Sequence, residues 1–263
     1  MVNISLPKIF EFAYFPDYEE SIKSLAETLS DKEPWDYSDS MEARYSILKN
    51  YLEYYFRRLK EEKKIKFTKD NNFCCFNTGI VTSNQEEIIC FFERYTGNRP
   101  ASAPYYFKGF FRISDSIVLT HFGNELPEPA NFFEKPELLI LNPKYKIMPD
   151  IEHIIIDNKD RFPSHLKNAD NSEMRRQLHG AIEDVTKKVK TNYKIAIPQY
   201  FANKIQLLLP LCLTSGSSNP DLALVIDKVP GQDIYSAKTC LTLKMAYNNA
   251  RLIVKPQSDW LRP

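Results

Sequence analysis

Between Asn192 and Leu213 the chain reads NYKIAIPQYFANKIQLLLPLCL, two apolar runs that meet at Ala202-Asn203. A tight turn there predicts two antiparallel strands, with Gln199 opposite Gln206 and Ile197 opposite Leu208. Apolar residues fall on both faces of this hairpin, the pattern of a sheet covered on two sides. Whatever fold the chain adopts must bring packing elements to both faces. Lys194, Gln199 and Gln206 sit inside the same run, and polar groups in such a setting need partners when buried.

A length of 263 residues admits one large domain or two small ones. No Gly/Ser linker interrupts the chain, so a single domain is expected. Residues 1–64 would then form a helical layer on an α+β body spanning 65–263. Seven glycines against 17 Phe and 15 Tyr argue against a glycine-rich phosphate loop and for a core built with many rings. A net charge of +1 provides no long-range cationic field, so contact with nucleic acid would come from a local patch. The five cysteines form no CxxC pair, no apolar run approaches ~20 residues, and charges appear early in MVNISLPKIFEF. A reduced cytoplasmic protein with no signal peptide, membrane span or zinc ribbon is the expectation.

Helix and strand patterns alternate irregularly. Asp17–Leu29 carries a short amphipathic pattern. Asp39, with Glu42 three residues on, offers a capping box for a helix whose apolar stripe runs Met41, Tyr45, Leu48, Leu52, Tyr55, Leu59. From Ile65 the period shortens to two. KIKFT, NFCCFNTGIV, EEIICFFERY, PYYFKGFFRI and SIVLTHF read as strands, as do Leu138–Leu141 and EHIIID at Glu152–Asp157. Asn171–Lys190 is a second clear helix, with Arg175, Arg176, Lys187, Lys188 and Lys190 away from its apolar side. Strands over LALVIDKV and IYSAKTCL extend the hairpin into a meander of about four. Thr242 caps a last helix in which Asn248 and Asn249 are poor helix formers that ask for a reason, and Trp260 docks the terminus. With no regular βαβ alternation, the fold class is α+β, mainly antiparallel sheet with amphipathic helices packed on it.

FNTGI, HIIIDNKDRFP, NYKIAIPQYFANKIQLLLPL and LTLKMAYNNARLI…SDW together resemble the bacterial domain of unknown function 3825 family, from IFEFAYFP to SDWL. Members of that family sometimes accompany RNA-associated modules such as cold-shock-like folds, which tilts the expectation toward RNA. The residues matching the family's polar pattern are Asn77, His153, Asn158, Arg161, Lys194, Gln199, Gln206, Asn248, Asn249 and Arg251. No catalytic role transfers with them.

Three readings follow. In the first, the protein recognises a nucleotide or RNA end and acts as a hydrolase or transferase on its phosphate. Lys194 and His153 are then catalytic, His153 as general acid–base. Asn77, Asn158, Arg161, Gln199, Gln206, Asn248, Asn249 and Arg251 bind substrate through cations and paired amide contacts. No P-loop, KxDG, HxH or HExxH motif supports a known chemistry. Within an extended strand Asp157 lies too far from His153 to orient it. His121, His165 and His179 are scattered, so no histidine metal site is expected, while magnesium held by Asp157 or Asp160 stays open. In the second reading the protein binds RNA without chemistry, through Arg57-Arg58, the Arg175–Lys190 face and stacking rings. In the third it is a protein-interaction scaffold whose embedded polar groups satisfy one another.

Overall fold

The computed structural model describes residues 8–37, 44–97, 103–214, 216–217, 219–256 and 260–262. The chain divides into two compact units, 1–131 and 132–263, each with its own five-stranded sheet. The fold is α+β, and both sheets are mostly antiparallel. No helix among the described residues is long and apolar enough to cross a membrane.

The first unit contains α1 (Ile9–Phe12), β1 (Ala13–Tyr14), α2 (Tyr18–Ser24, continued by a π-helical turn at Leu25–Leu29) and α3 (Ser46–Glu61). The strands β2 (Lys66–Phe67), β3 (Phe73–Val81), β4 (Glu87–Arg94) and β5 (Tyr105–Arg112) and the helix α4 (Ser116–Phe122) follow. The sheet order is β1-β5-β4-β3-β2, with β1 parallel to β5. Rings fill the face under α3. Phe92 lies with its centroid 5.5 Å from Phe12, 5.7 Å from Phe76 and 5.9 Å from Phe15 and Phe107. The opposite face, with Cys75, Ile89 and Phe91, is covered by Val118 and Phe122 of α4. SIVLTHF is therefore a helix and not a strand. Residues four apart on a helix reach the same sheet face, and burying Val118 and Phe122 there outweighs the extended preference of Ile117-Val118. The capping residues expected at Asp39 and Glu42 lie outside the described residues. Within them, α3 is preceded by Tyr45 in the left-handed region at φ 57°.

The second unit contains β6 (Lys146–Pro149), α5 (Ile151–Asn158), α6 (Ser164–Lys167), α7 (Asn171–Thr191), β7 (Ile197–Phe201), β8 (Lys204–Leu211), β9 (Leu222–Lys228), β10 (Ile234–Leu241) and α8 (Leu243–Arg251). The sheet order is β6-β10-β9-β8-β7, and β6 runs parallel to β10. The β7–β8 register pairs Gln199 with Gln206 and Ile197 with Leu208, as the sequence predicts. Ala202 and Asn203 both take positive φ, 48° and 62°, the conformation that matches the strand twist in a two-residue hairpin turn. One face, with Leu207, Leu209, Leu224 and Ile226, buries the apolar sides of α5 and α7. The other, with Ile197, Leu208 and Val225, lies under α8, which contributes Ala246, Tyr247 and Ala250. The hairpin is covered on both faces.

Two further segments expected as strands are not strands. EHIIID is helical: the Asp150 carboxylate caps it by accepting the His153 N–H at 3.2 Å, and Ile151, Ile154 and Ile155 bury one helical stripe. Three consecutive isoleucines favour a strand locally, but the i, i+3, i+4 burial prevails and leaves Ile156 exposed. Leu138–Leu141 is also not a strand. Pro136–Leu138 is a 3-10 turn, and the edge strand comes later, at Lys146–Pro149.

Candidate functional site

The expected site residues separate into five places. Asn77 belongs to the first unit, where it is buried on β3. Its Nδ2 donates to the Pro127 carbonyl at 3.3 Å, and its Oδ1 accepts the Gly79 N–H at 2.9 Å. Gly79 has φ +69°, and a Cβ there would sit 2.3 Å from the Tyr55 hydroxyl oxygen. The FNTGI segment thus fixes a bend against Tyr51 and Tyr55.

Asn158 and Arg161 come together at the free side of β10. β6 pairs with β10 only as far as Pro149–Ala237, so the outer backbone groups of β10 beyond that point need other partners. Asn158 Oδ1 accepts the Cys240 N–H at 2.8 Å, the Thr239 hydroxyl at 2.7 Å and an Arg161 N–H at 2.9 Å. Arg161 donates to the Cys240 carbonyl at 2.5 Å. One side chain satisfies the strand's donor and the other its acceptor, so the pair stands in for the missing neighbour strand. Burial pushes the Cys240 thiol up to about 12, with the Arg161 charge pulling the other way.

Gln199, Gln206 and Asn249 form an amide chain under α8. Asn249 Nδ2 donates to Gln199 Oε1 at 3.1 Å, and Gln199 Nε2 donates to Gln206 Oε1 at 3.0 Å. Gln199 is 1% exposed, so these bonds answer the desolvation of its amide. On the same sheet face Lys204 approaches Asp227 at 3.7 Å. Neighbouring Asn248 has a buried Oδ1 that accepts no hydrogen bond among the described residues, and Arg251 is buried at the end of α8. The helix-disfavouring asparagine Asn249 is thereby explained by a tertiary hydrogen bond.

His153 and Lys194 do not converge. His153 is on the exposed side of α5, with Nδ1 3.3 Å from Asp157 Oδ2. The expectation that Asp157 is too far to orient His153 is overturned, because one helical turn brings residues four apart together. Lys194 is not within a strand. Tyr193–Ile195 is a 3-10 turn leading into β7, capped by Asn192, whose Oδ1 accepts the Lys194 N–H at 3.1 Å, and the lysine side chain is exposed. α5 packs on β10, and β7 is three strand spacings, roughly 14 Å, across the sheet. Among the described residues no group of three or more His, Cys, Asp or Glu is disposed to hold a metal ion.

Lys194 instead borders a recess of about 350 Å³ beside β7. Ala196, Ile197, Pro198 and Val254 supply its apolar surface, and Lys255 and Pro256 complete it. Trp260 donates its indole N–H to the Ile195 carbonyl at 2.9 Å, which anchors the segment after α8 beside the turn that carries Lys194. Lys255 and Val254 carried no periodic signal in the sequence. A lysine and a valine after a helix become informative only once the chain is seen returning to β7. Arg57 and Arg58 in the first unit are engaged otherwise: Arg57 holds Glu53 at 2.8 Å, and Arg58 pairs with Glu61 and Glu62.

A family model for a Domain of unknown function (DUF3825) matches residues 26–260. The chain belongs to this family. Neither a curated protein nor a solved structure matches it. The match includes the Asn158–Arg161 cluster, the amide chain, Lys194 and Lys255.

Proposed function

We propose that the protein recognises a phosphate-bearing nucleotide unit, such as an RNA end, in the recess beside β7. The observation that carries this reading is the pairing of two lysines, Lys194 and Lys255, with the apolar surface of Ile197, Pro198 and Val254. Ammonium groups attract phosphate as compact point charges, and an apolar wall accepts a base or ribose without reading its edges. Binding is favoured over turnover because the His153 imidazole is on the exposed side of α5, the helix packed on β10, away from this recess. The amide chain and the Asn158–Arg161 cluster support the frame that presents it.

The test is binding of a 5′-phosphorylated single-stranded RNA against its 5′-hydroxyl counterpart, followed by fluorescence anisotropy at low salt. The phosphorylated RNA should bind at least tenfold more tightly, and Lys194→Ala with Lys255→Ala should remove that difference. Arg57→Ala should leave it intact. Equal affinity for both ends, unchanged by the lysine substitutions, would sink the reading. RNA recovered intact on a gel agrees with recognition alone, whereas a product that depends on Lys194 would make the protein an enzyme.

A further inference from the structure

A second concavity, of about 460 Å³, runs along α7. Its lining includes Arg176, Gly180, Asp184 and Lys188 from the helix, and Thr214 and Ser217 from the turn after β8. The four helical residues are spaced by four, so they form one row along a single face. From Arg176 to Lys188 the row rises roughly 18 Å. The opposite wall is held firmly: Asp221 accepts the Leu213 N–H at 2.6 Å, the Thr214 N–H at 2.9 Å and the Thr214 hydroxyl at 2.8 Å.

Gly180 is the residue that needs an explanation. It lies in the middle of a 21-residue helix, where glycine is unfavourable relative to alanine. Apart from its chain neighbours and the helix's own backbone, no heavy atom lies within 4 Å of where its Cβ would be, and its φ is not in the left-handed region, so neither packing nor backbone conformation requires glycine. Its effect is to leave the middle of the groove empty. The occupant such a groove suits is a chain carrying negative charges towards both ends and hydrogen-bonding groups between them. A peptide occupant would need sockets for apolar anchor side chains, and the apolar residues among the groove's described lining are Ala181, Cys212 and Leu213, of which Ala181 and Leu213 are buried.

We propose that this groove holds an extended single-stranded RNA segment. Arg176 and Lys188 contact phosphates, Asp184 accepts a ribose 2′-hydroxyl, and Gly180 leaves room for the backbone to pass. The inference rests on the preceding reading only in taking nucleic acid as the ligand class, since the groove and the recess share no lining residue. Lys194 follows Lys188 by six positions, a reach of at most ~20 Å, so a short oligonucleotide can engage both.

The experiment compares uridine 5′-monophosphate with a 5′-phosphorylated ribo-uridine decamer on the full chain. The decamer should bind at least tenfold more tightly. Gly180→Trp, which fills the groove, should reduce decamer affinity to that of the mononucleotide while leaving the mononucleotide unaffected. The charge-reversed pair Arg176→Glu and Lys188→Glu should do the same by another route. Replacing both cations by alanine should lower the salt slope of decamer binding by about 1.4, at ~0.7 per phosphate contact on a single strand. The wild type should prefer the ribo- to the deoxy-decamer, and Asp184→Ala should abolish that preference. Gly180→Ala should raise the unfolding midpoint, which shows that the position tolerates a side chain. The proposal is overturned if the decamer gains nothing over the mononucleotide, or if its gain survives both Gly180→Trp and the charge reversal. It is equally overturned if polyglutamate displaces the decamer at equal charge concentration. If the lysine substitutions at Lys194 and Lys255 change nothing while Gly180→Trp still removes decamer binding, the recess reading fails and the groove stands.

Discussion

The two sheets have the same number of strands but solve burial differently. The first is packed with rings: Phe12, Phe15, Phe76, Phe92 and Phe107 interlock on one face, and its buried polar side chains, such as Asn77 and Thr78, bond to nearby backbone. The second is packed with aliphatic side chains and admits polar groups deep into its structure, through the amide chain under α8 and the Asn158–Arg161 cluster at β10. Rings bury large areas with few rotamers, which makes a stiff slab. Amide chains are directional and fail when any member is removed. The second unit is accordingly the one whose elements are held in place by hydrogen-bond geometry, and it carries the recess beside β7 and the groove along α7.

That contrast can be broken by substitution. Phe92→Ala should have the largest effect, about 3–5 kcal/mol on the first unit's stability in urea unfolding, because four neighbouring rings lose their packing partner. A loss below 1 kcal/mol would show that the ring cluster repacks freely. Asn158→Ala should cost about 2–3 kcal/mol in the second unit, since the Cys240 N–H and the Thr239 hydroxyl both lose their acceptor and Arg161 loses one of its own. Gln199→Leu should cost about 1–2 kcal/mol, because Gln206 and Asn249 are left without their middle partner. Adding Gln206→Leu and Asn249→Leu should recover part of that loss, which a purely additive set would not do.

The smallest effect concerns pH. Asp170 caps α7, and the N–H groups of Glu173 and Ser172 hold its carboxyl below the usual carboxylate range. A depressed folded-state value means that the cap's contribution is present above the ordinary range near pH ~4 and is lost as pH falls through the lowered value. Asp170→Asn keeps a capping oxygen and removes the titration. Helicity followed by circular dichroism should therefore show less acid sensitivity in that variant, and an unchanged acid limb would separate α7 from this carboxylate.

The strongest local signals in the sequence survive intact. The β7–β8 register follows from a turn at Ala202-Asn203 and a two-residue side-chain period. Helix α8 begins where Thr242 caps it, its hydroxyl accepting the Met245 N–H at 3.3 Å. Two of the failures share one cause. Ile154-Ile155-Ile156 and Ile117-Val118 are β-branched runs, and whether such a run becomes helix depends on which sheet face awaits its side chains. That information is not local. Site residues behave likewise: Asn158 and Arg161 stand out as polar residues, yet their role exists only because β6 stops at Pro149. Gly180 gives no signal at all until the space beside it is seen to be empty.

The distribution of thiols has a practical consequence. Cys74, Cys75, Cys90 and Cys240 are buried, and burial keeps each of them in the unreactive protonated form. Cys212 alone is partly accessible, and it borders the groove along α7. An alkylating dye applied to the folded, unmodified chain should therefore attach at one position, beside the surface where an occupant would report its arrival as a change in fluorescence.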